Sequence, residues 1–413
     1  MYHFVYADED GNGYIDEKHY ALGLLGNSFV EPAEEELIPL PEGASLTMIP
    51  DRQAVVMDKR GQFVPYQGAG WVMGALLPQG FTRTLLPAFL NKPDAPGLPL
   101  FGYAAVCAKE GELYVAALAT DEDYKWNPRY FNTVDLALRV QKMQAKYPHN
   151  RLLEQLGHCA LTYGCFTAQN IFYGRWEGGI PVSPVCNAQC LGCISLQPSE
   201  CCPSPQSRLT FVPTLAEIVE LGCAHLTTDR EAIISFGQGC EGDPSIQADL
   251  IAQAITEMRR VTQQGTINMN TNAGHTQGIE KLCQAGIDSL RVSLNSATDT
   301  VYAQYYRPRS YTLENVRQSL KLAAEHGVYT YLNLLTYPGI NDCEQEIENL
   351  LELVRTCQVK AIQIRNLNID PQTMLPILQT VEGEALGVPA FLRILAEELP
   401  EVEIGNYTKP LRG

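Results

Sequence analysis

The strongest constraint on the fold is an alternation that runs from about residue 176 to residue 370. Short apolar runs alternate there with amphipathic stretches of helical period. This pattern predicts parallel strands joined by helices, because parallel strands need a long crossover connection. Thr214 and Glu217 have the spacing of a capping box at the start of one such helix. The predicted strands cover residues 180–182, 232–236, 266–270, 289–294, 330–335 and 361–364.

The first 150 residues have a different character. Short strand-like runs are separated by turns rich in Gly and Pro, which is typical of a small β-rich or mixed domain. Two helical patterns cover residues 133–172, at the end of this region and just beyond it, and Pro148 separates them. The predicted N-terminal strands cover residues 2–7, 14–16, 45–49, 54–57, 71–76 and 113–118. The predicted parts of the chain are an N-terminal module (1–150), a helical linker (151–175), the α/β part (176–370) and a tail that packs on it (371–413).

An acidic stretch that begins at Asp8 has two interpretations. A calcium-binding EF-hand loop needs a bidentate Glu at its twelfth position, and that position is His19 here. Asn12-Gly13 between two apolar runs is instead a signal for a tight hairpin turn. We therefore expect a β-hairpin and keep the calcium loop as the alternative.

Charge and composition exclude several classes of partner. The chain has 413 residues, a net charge of −17 and 13 cysteines. A protein this acidic is not expected to bind nucleic acid or anionic membranes in general, because such binding needs a basic surface. No apolar run is long enough to span a bilayer, and the N-terminus lacks the pattern of a signal peptide. We therefore expect a cytoplasmic protein whose cysteines are thiols or metal ligands instead of disulfides.

A loop after the first predicted strand contains Cys186, Cys190 and Cys193. Thiolates are preferred ligands of iron–sulfur clusters and of zinc, and this spacing lets one loop surround one metal centre. Three ligands leave a coordination position open, which is typical of a catalytic site. Buried structural cysteines are the alternative, but Pro184, Gly192 and the polar residues of the loop are unlike a core segment.

The Cys-x3-Cys-x2-Cys spacing after a short apolar run resembles the signature of the radical SAM superfamily. The resemblance implies that the three cysteines bind a 4Fe–4S cluster, and that its open iron chelates S-adenosylmethionine (SAM). It implies that one electron, from an external flavodoxin- or ferredoxin-like donor, cleaves SAM to a 5′-deoxyadenosyl radical, which abstracts hydrogen from a substrate. It also implies an α/β fold of the partial (β/α)6 TIM-like type. Chemistry in parallel barrels sits at the C-terminal ends of the strands.

Two later strand ends resemble SAM-binding segments of the same family. Gly242-Asp243-Pro244 follows the second predicted strand and resembles a Gly-Gly-Glu-Pro segment that receives the methionyl amine, with Asp in place of Glu. Asn270 and Asn272 end the third strand, where the family has a Thr-Asn-Gly-like segment. Amides donate to and accept from hydroxyls, so they suit a ribose. A tight turn without a ligand is the alternative for the glycine-rich segment.

The fourth and sixth strands extend the resemblance. Arg291, Ser293 and Asn295 share one face of the fourth strand, and the resemblance implies that Arg291 or Ser293 holds the SAM carboxylate. Asn366 ends the sixth strand, where the family makes its last SAM contact. One position departs from the family, because Gly192 stands where an aromatic residue usually packs on the adenine. The chain is therefore identified as a divergent member with an additional N-terminal module.

The substrate and three further cysteines leave alternatives open. Arginines at strand ends, such as Arg291 and Arg365, suggest a small molecule with a carboxylate or phosphate group, and a peptide or protein is the alternative. An iron–sulfur electron carrier and a zinc-bearing binding module are alternatives of other classes, although electron transfer does not need the polar strand ends. Cys201, Cys202 and Cys240 are candidates for a second metal centre, with an inert loop as the alternative.

Overall fold

The structure is a computed structural model that describes residues 1–98, 100–121, 124–196 and 204–412. The N-terminal strands are β1 (His3–Ala7), β2 (Gly13–Tyr20), β3 (Gly23–Leu25), β4 (Ser28–Val30), β5 (Leu37–Pro39), β6 (Ser45–Ile49), β7 (Arg52–Met57), β8 (Phe63–Pro65), β9 (Trp71–Leu76), β10 (Phe81–Arg83), β11 (Leu86–Pro87), β12 (Phe89–Asn91), β13 (Tyr103–Lys109) and β14 (Glu112–Ala119). Short 3-10 turns cover Glu34–Glu36, Tyr124–Trp126, Pro128–Tyr130 and Pro244–Gln247.

Antiparallel sheets build the N-terminal module. The larger sheet has the order β10-β14-β13-β9-β1-β2-β7-β12, with β5, β6 and β8 attached beside it, and β11, β3 and β4 form a smaller sheet. The predicted strands of this region are confirmed at β1, β2, β6, β7, β9 and β14. The hairpin is confirmed as well, because β1 pairs with β2 and Ala7 lies opposite Gly13. The Asp8 carboxylate stabilises its turn by accepting the N–H of Asn12 at 2.8 Å.

Three helices connect this module to the second half of the chain: α1 (Leu136–Lys146), α2 (Leu152–Thr162) and α3 (Phe166–Tyr173). Strands and helices then alternate as predicted: β15 (Glu177–Gly179), α4 (Leu215–Leu226), β16 (Ile233–Phe236), α5 (Ala248–Val261), β17 (Thr266–Thr271), α6 (Thr276–Gln284), β18 (Ser289–Leu294), α7 (Asp299–Tyr306), α8 (Leu313–Glu325), β19 (Tyr329–Thr336), α9 (Glu344–Thr356), β20 (Ala361–Asn366), α10 (Pro371–Leu378), α11 (Val388–Glu398) and β21 (Glu403–Gly405). The capping box of Thr214 and Glu217 is present at the start of α4.

The second sheet is parallel throughout, in the order β15-β16-β17-β18-β19-β20-β21. Five of the six predicted strands are confirmed, at β16 to β20. The first prediction is wrong, because the strand is Glu177–Gly179 and residues 180–182 already belong to the following loop. The apolar character of that loop comes from burial, since Ile180 and Val182 have no exposed surface. A seventh strand, β21, comes from the segment expected to be a tail.

The parallel sheet is strongly curved. Neighbouring strands lie about 4.8 Å apart, so β15 and β18 would be three spacings apart in a flat sheet. Yet the Arg291 guanidinium on β18 donates to the Glu177 carboxylate on β15 at 2.8 Å and to the Gln363 side chain on β20 at 3.2 Å. The inner face is therefore concave and polar, and the α/β half is a partial barrel, as the resemblance implied.

The N-terminal module packs on the barrel through a shared core and two buried arginines. One apolar core extends from Phe4 and Phe89 of the module to the barrel strands. Arg52 forms an ion pair with Asp370 at 2.9 Å in which neither side chain is exposed. Arg83 donates to the Leu367 carbonyl just beyond β20 at 2.9 Å. The module thus covers the barrel at the C-terminal end of β20. Among the described residues, every helix is too short or too polar to span a membrane.

Candidate active site

The cysteine loop leaves β15 and runs along the C-terminal end of α7. The N–H of Gln189 donates to the Tyr306 carbonyl and the N–H of Leu191 to the Tyr305 carbonyl, both at 3.0 Å. Buried backbone groups need such partners, and here a neighbouring helix end provides them. The backbone of the loop is therefore held by the barrel itself.

Cys186, Cys190 and Cys193 all border one cavity, and each of them is a free thiol. The cavity encloses about 750 Å³, counting the open space at its mouth. Its other walls come from the C-terminal ends of β16 to β19, with lining residues that include Gly237, Asn270, Ser293 and Leu335. The structure therefore brings the cysteine loop and four strand ends together, at the end of the barrel where parallel barrels carry their chemistry.

The electrostatics of the cavity disfavour isolated thiolates. Burial raises the pKa of the Cys186 thiol to about 11, and the nearby Asp243 carboxylate acts in the same direction. Burial also raises the pKa of Cys190, with repulsion from the neighbouring cysteines as a smaller cause. Arg208 is the cation in contact with the loop: its guanidinium donates to the Cys193 sulfur at 3.3 Å and to the Ser195 hydroxyl at 3.1 Å. Further positive charge, such as iron supplies, is needed to hold Cys186 and Cys190 as thiolates.

The glycine-rich turn after β16 lies directly against the cysteine loop. The N–H of Gly242 donates to the Ser183 carbonyl at 2.7 Å, and the N–H of Asp243 donates to the Val185 carbonyl at 3.0 Å. A Cβ atom on Gly242 would collide with the Val185 carbonyl oxygen. Glycine is required at this position because two backbones approach more closely than any side chain permits.

Sequence reasoning missed Glu241, which is buried between these two segments. One carboxylate oxygen accepts the N–H groups of Val182 and Ser183 at 2.7 and 2.8 Å. The other accepts those of Gly237 and Gln238 at the same two distances. Burial raises the pKa of Glu241 to about 7, although the four hydrogen bonds act against that rise. A glutamate directly before Gly242, with no basic residue near it in sequence, was the available signal.

The predicted pair Gly242 and Asp243 borders the cavity, and so does Pro244. The Asp243 carboxylate is already committed, because it accepts the N–H of Asn272 at 2.7 Å and the Thr271 hydroxyl at 2.9 Å. Its side chain therefore fixes the turn after β16 against the end of β17. The groups that this turn presents to a ligand are those of its backbone.

Asn270 and Asn272 also border the cavity. The Asn270 amide donates to the Gly237 carbonyl at 2.8 Å, and its oxygen accepts the Nε–H of Arg291 at 2.5 Å. The Asn272 amide donates to the Asn187 side chain in the cysteine loop at 2.6 Å. Both amides thus link separate parts of the site to one another.

The three predicted residues of β18 have different surroundings. Arg291 is an interior residue whose guanidinium pairs with Glu177 and also donates to the Thr408 hydroxyl, each at 2.8 Å. Ser293 borders the cavity, and the one hydrogen bond that it accepts within the described chain, from Asn333, is long at 3.5 Å. Asn295 is buried, and neither polar atom of its side chain has a partner among the described residues. Ser293 is therefore the residue of this strand that is free to meet a ligand in the cavity.

Asn366 lies under the N-terminal module instead of in the cavity. Its side-chain oxygen accepts the N–H of Arg83 at 2.8 Å, and its amide donates to the Phe81 carbonyl at 3.1 Å. The side chain predicted to contact SAM thus joins β20 to β10.

An aromatic residue from elsewhere stands beside Gly192. Tyr305 of α7 is buried and borders the cavity, and a Cβ atom on Gly192 would lie 2.9 Å from its hydroxyl. Tyr305 also packs edge-on against Tyr306, with ring centroids 5.0 Å apart. The aromatic surface that the family has within the loop is therefore present here on a neighbouring helix.

Of the three candidates for a second metal centre, the structure describes one, Cys240. Cys201 and Cys202 lie outside the described residues. Cys240 is buried and does not border the cavity. Within the described ranges, no three histidine, cysteine or acidic side chains are arranged to hold a single metal ion.

Comparisons with known proteins bear on this site. A family model described as the radical SAM superfamily matches residues 180–354. A protein of Methanosarcina mazei named "Probable GTP 3′,8-cyclase" is 28% identical over 209 residues, which cover 48% of this chain and 58% of that protein. A protein of the same name from Methanosarcina acetivorans is 26% identical over 240 residues, which cover 56% of this chain and 65% of that protein. The chain thus spans about three fifths of the length of these relatives.

Two solved structures align with part of the chain at low sequence identity. A methylornithine synthase has a TM-score of 0.39 at 14% identity, with 65% of this chain and 73% of that one covered. A radical SAM methyltransferase from Sphaerobacter thermophilus has a TM-score of 0.39 at 16% identity, with 55% and 64% covered.

The segment matched by the family model begins just before the cysteine loop and ends in α9, and it includes four of the strand ends that surround the cavity. The parallel partial barrel, the three-cysteine loop after its first strand and the matched segment therefore agree. Residues 180–354 are therefore the part of the chain that matches the radical SAM superfamily model, and they contain the cysteine loop and the strands that surround the cavity.

Proposed function

We propose that this protein binds a 4Fe–4S cluster through Cys186, Cys190 and Cys193, binds SAM in the adjoining cavity, and abstracts hydrogen from a small-molecule substrate. The observation that carries the proposal is that the three thiols and four strand ends border the same cavity. Bound together, the cluster and SAM supply one-electron cleavage of a sulfonium bond and hence a primary carbon radical, with the electron drawn from an external donor.

The donor set fits a cluster with one open iron. The three thiols come from a single loop that is anchored by backbone hydrogen bonds, and none of them is consumed by a disulfide. The raised pKa values of Cys186 and Cys190 favour neutral thiols until iron is present, so binding of the cluster releases protons from these two residues. Arg208 holds the Cys193 sulfur by a hydrogen bond from its guanidinium.

Different residues would hold the two ends of SAM. The backbone around Gly242 supports binding of the methionyl amine, because the side chain of Asp243 already has protein partners. Ser293 is the candidate for the carboxylate, since the Arg291 guanidinium is occupied by Glu177 and its neighbours. Tyr305 offers an aromatic surface beside Gly192. Because the relatives of 28% and 26% identity are named for GTP 3′,8-cyclisation, GTP is the first substrate to test.

The decisive experiment is anaerobic reconstitution with iron and sulfide, followed by reduction with dithionite in the presence of SAM. We expect four iron atoms per chain and formation of 5′-deoxyadenosine, measured by chromatography. The Cys190→Ala variant should lose both, whereas Cys223→Ala, a half-buried cysteine of α4 away from the cavity, should retain both. A four-iron parent protein that makes no more 5′-deoxyadenosine than Cys190→Ala would overturn the proposal and favour an electron carrier.

A further inference from the structure

Arg365 lies near the C-terminal end of β20 and on the inner face of the barrel. Side chains alternate between the two faces of a strand, so Arg365 shares its face with Gln363. The Gln363 side chain is an interior one, because its oxygen accepts a hydrogen bond from Arg291 at 3.2 Å. Arg365 therefore also faces the interior of the barrel, and its side chain keeps some accessible surface.

The position of Arg365 is adjacent to the SAM cavity. In the pairing of β19 with β20, Leu335 is the direct partner of Arg365, and Leu335 borders the cavity. In the pairing of β18 with β19, Asn333 is the direct partner of Ser293, and Ser293 also borders the cavity. Arg365 thus stands on the β20 side of the opening, across the barrel from the cysteine loop.

Arg365 differs from the other interior arginines in its partners. Arg52, Arg83 and Arg291 each donate to carboxylate or carbonyl oxygens. For Arg365, no hydrogen bond or ion pair with a described residue is found, and its recorded contact is the ring of Tyr407, whose centroid lies 5.9 Å away. A partly accessible guanidinium without a protein acceptor has N–H groups that can donate to a ligand.

The carboxylates nearest to Arg365 do not pair with its guanidinium. Burial lowers its pKa to about 10, and repulsion from Arg291 acts in the same direction. The carboxylates of Glu177 and Asp121 act against that shift, but neither is in contact with the guanidinium. Glu177 is the ion-pair partner of Arg291, and Asp121 accepts the N–H of Asn406 at 3.0 Å. Among the described residues, Arg365 therefore has no carboxylate partner, and its guanidinium can donate to a ligand.

The N-terminal module covers this end of the barrel. The next two residues after Arg365 are held by β10, because Asn366 accepts the Arg83 N–H and the Leu367 carbonyl accepts from the Arg83 guanidinium. A group bound at Arg365 would lie between the SAM cavity and the module. In such a space an ion pair is screened less than at the surface.

We propose that Arg365 is the residue that binds an anionic group of the substrate, a carboxylate or a phosphate, through the fork of its guanidinium. Planar oxyanions match the paired N–H groups of arginine, which makes such contacts both strong and directional. The anion site at Arg365 is proposed independently of the proposed function. Its assignment to the substrate rests on the proposed function.

The test uses the full chain and three probes: inorganic phosphate, pyrophosphate and succinate. Calorimetric titration of the parent protein should detect at least one of them. The Arg365→Gln variant should bind it at least about tenfold more weakly, and Arg365→Lys should lie between the two, because lysine keeps the charge without the fork. The matched control is Arg260→Gln, which removes an exposed arginine of α5 whose side chain is 69% exposed, and it should bind like the parent.

Two results would overturn the anion site: a parent protein that binds none of the three probes, or an Arg365→Gln variant that binds them like the parent. If Arg365→Gln does not fold, the Arg365→Lys variant decides, and unchanged affinity counts against the proposal. Cleavage of SAM without substrate is measured in parallel. A parent protein that does not cleave SAM would refute the proposed function alone, whereas the exposed control Arg260→Gln should cleave SAM at the parent rate.

Discussion

The carboxylate of Asp243 accepts the backbone N–H of Asn272 at 2.7 Å, and both residues border the cavity next to the cysteine loop. The two residues belong to different strand ends, so this bond sets the distance between the turn after β16 and the end of β17. The Thr271 hydroxyl donates to the same carboxylate at 2.9 Å. The geometry of the proposed SAM site is therefore established by contacts within the protein.

Replacing Asp243 should damage both the fold and the site. In Asp243→Ala the N–H of Asn272 and the Thr271 hydroxyl lose their acceptor in a buried place, and each unsatisfied group costs about 1–3 kcal/mol. We expect the free energy of unfolding, measured in urea, to fall by about 2 kcal/mol or more, with SAM binding weakened at least about tenfold. Asp249→Ala is the matched control, because Asp249 forms an exposed pair with Lys281 that is worth about 1 kcal/mol at most. Equal effects of the two variants would contradict this prediction.

Glu241 should give the protein a recognisable pH dependence. Burial raises the pKa of this carboxyl from its ordinary 4.5 to about 7, so the folded state holds a proton that the unfolded state releases. Its contribution to stability is therefore complete below pH 4.5 and is lost as the pH rises through about 7. The free energy of unfolding of the parent, relative to Glu241→Gln, should decrease by about 2–3 kcal/mol over that interval. The measurement is urea unfolding of both proteins at several pH values, and a difference that stays constant or grows with pH would contradict it.

The ion pair of Arg52 with Asp370 should dominate the attachment of the N-terminal module. Both side chains are fully buried, so Arg52→Met leaves a carboxylate without its cation, which costs about 3–5 kcal/mol. The matched control is Arg393→Met, because Arg393 pairs with Glu35 of the same module at 2.9 Å but both partners are more than half exposed. That control should change the free energy of unfolding by about 1 kcal/mol at most. If urea unfolding shows similar losses for the two variants, burial does not set the strength of this contact.

Arg208 should tune the reduction potential of the cluster. A cationic N–H donor at a ligand sulfur stabilises the more negative, reduced state, and the Arg208 guanidinium lies 3.3 Å from the Cys193 sulfur. We expect the midpoint potential of reconstituted Arg208→Gln, followed by electron paramagnetic resonance, to be lower than that of the parent at equal iron content. The control is Arg309→Gln, since no hydrogen bond of the Arg309 side chain to the cysteines is found in the described chain. A potential that does not move in Arg208→Gln would contradict a tuning role.

Much of this architecture is readable from the sequence, and the exceptions have physical reasons. Strands β16 to β20 and the cysteine loop follow from local apolar patterns and spacing. Strand β15 escaped prediction because Gly178 and Gly179 lack the apolar side chains that mark a buried strand, and they are glycines because neighbouring side chains crowd them. Asn366 was placed in the SAM site by its strand end, but the side chain turns to a module whose docking no local pattern encodes. The lack of an acceptor for Arg365 among the described residues likewise depends on tertiary packing, which no local sequence pattern encodes.

Gly242 provides the sharpest test of the contact between the two loops. A Cβ atom there would collide with the carbonyl oxygen of Val185, which is backbone and has no rotamer to change. In Gly242→Ala the loops must therefore separate, which breaks the hydrogen bond from the Gly242 N–H to the Ser183 carbonyl at 2.7 Å and moves the cysteines away from the turn. We expect iron incorporation to fall and SAM binding, measured by equilibrium dialysis, to weaken at least about tenfold. Gly97→Ala is the matched control, because nothing lies within 4 Å of a Cβ atom at Gly97, and it should behave like the parent. Full iron content and SAM affinity in Gly242→Ala would mean that the site does not depend on this close approach.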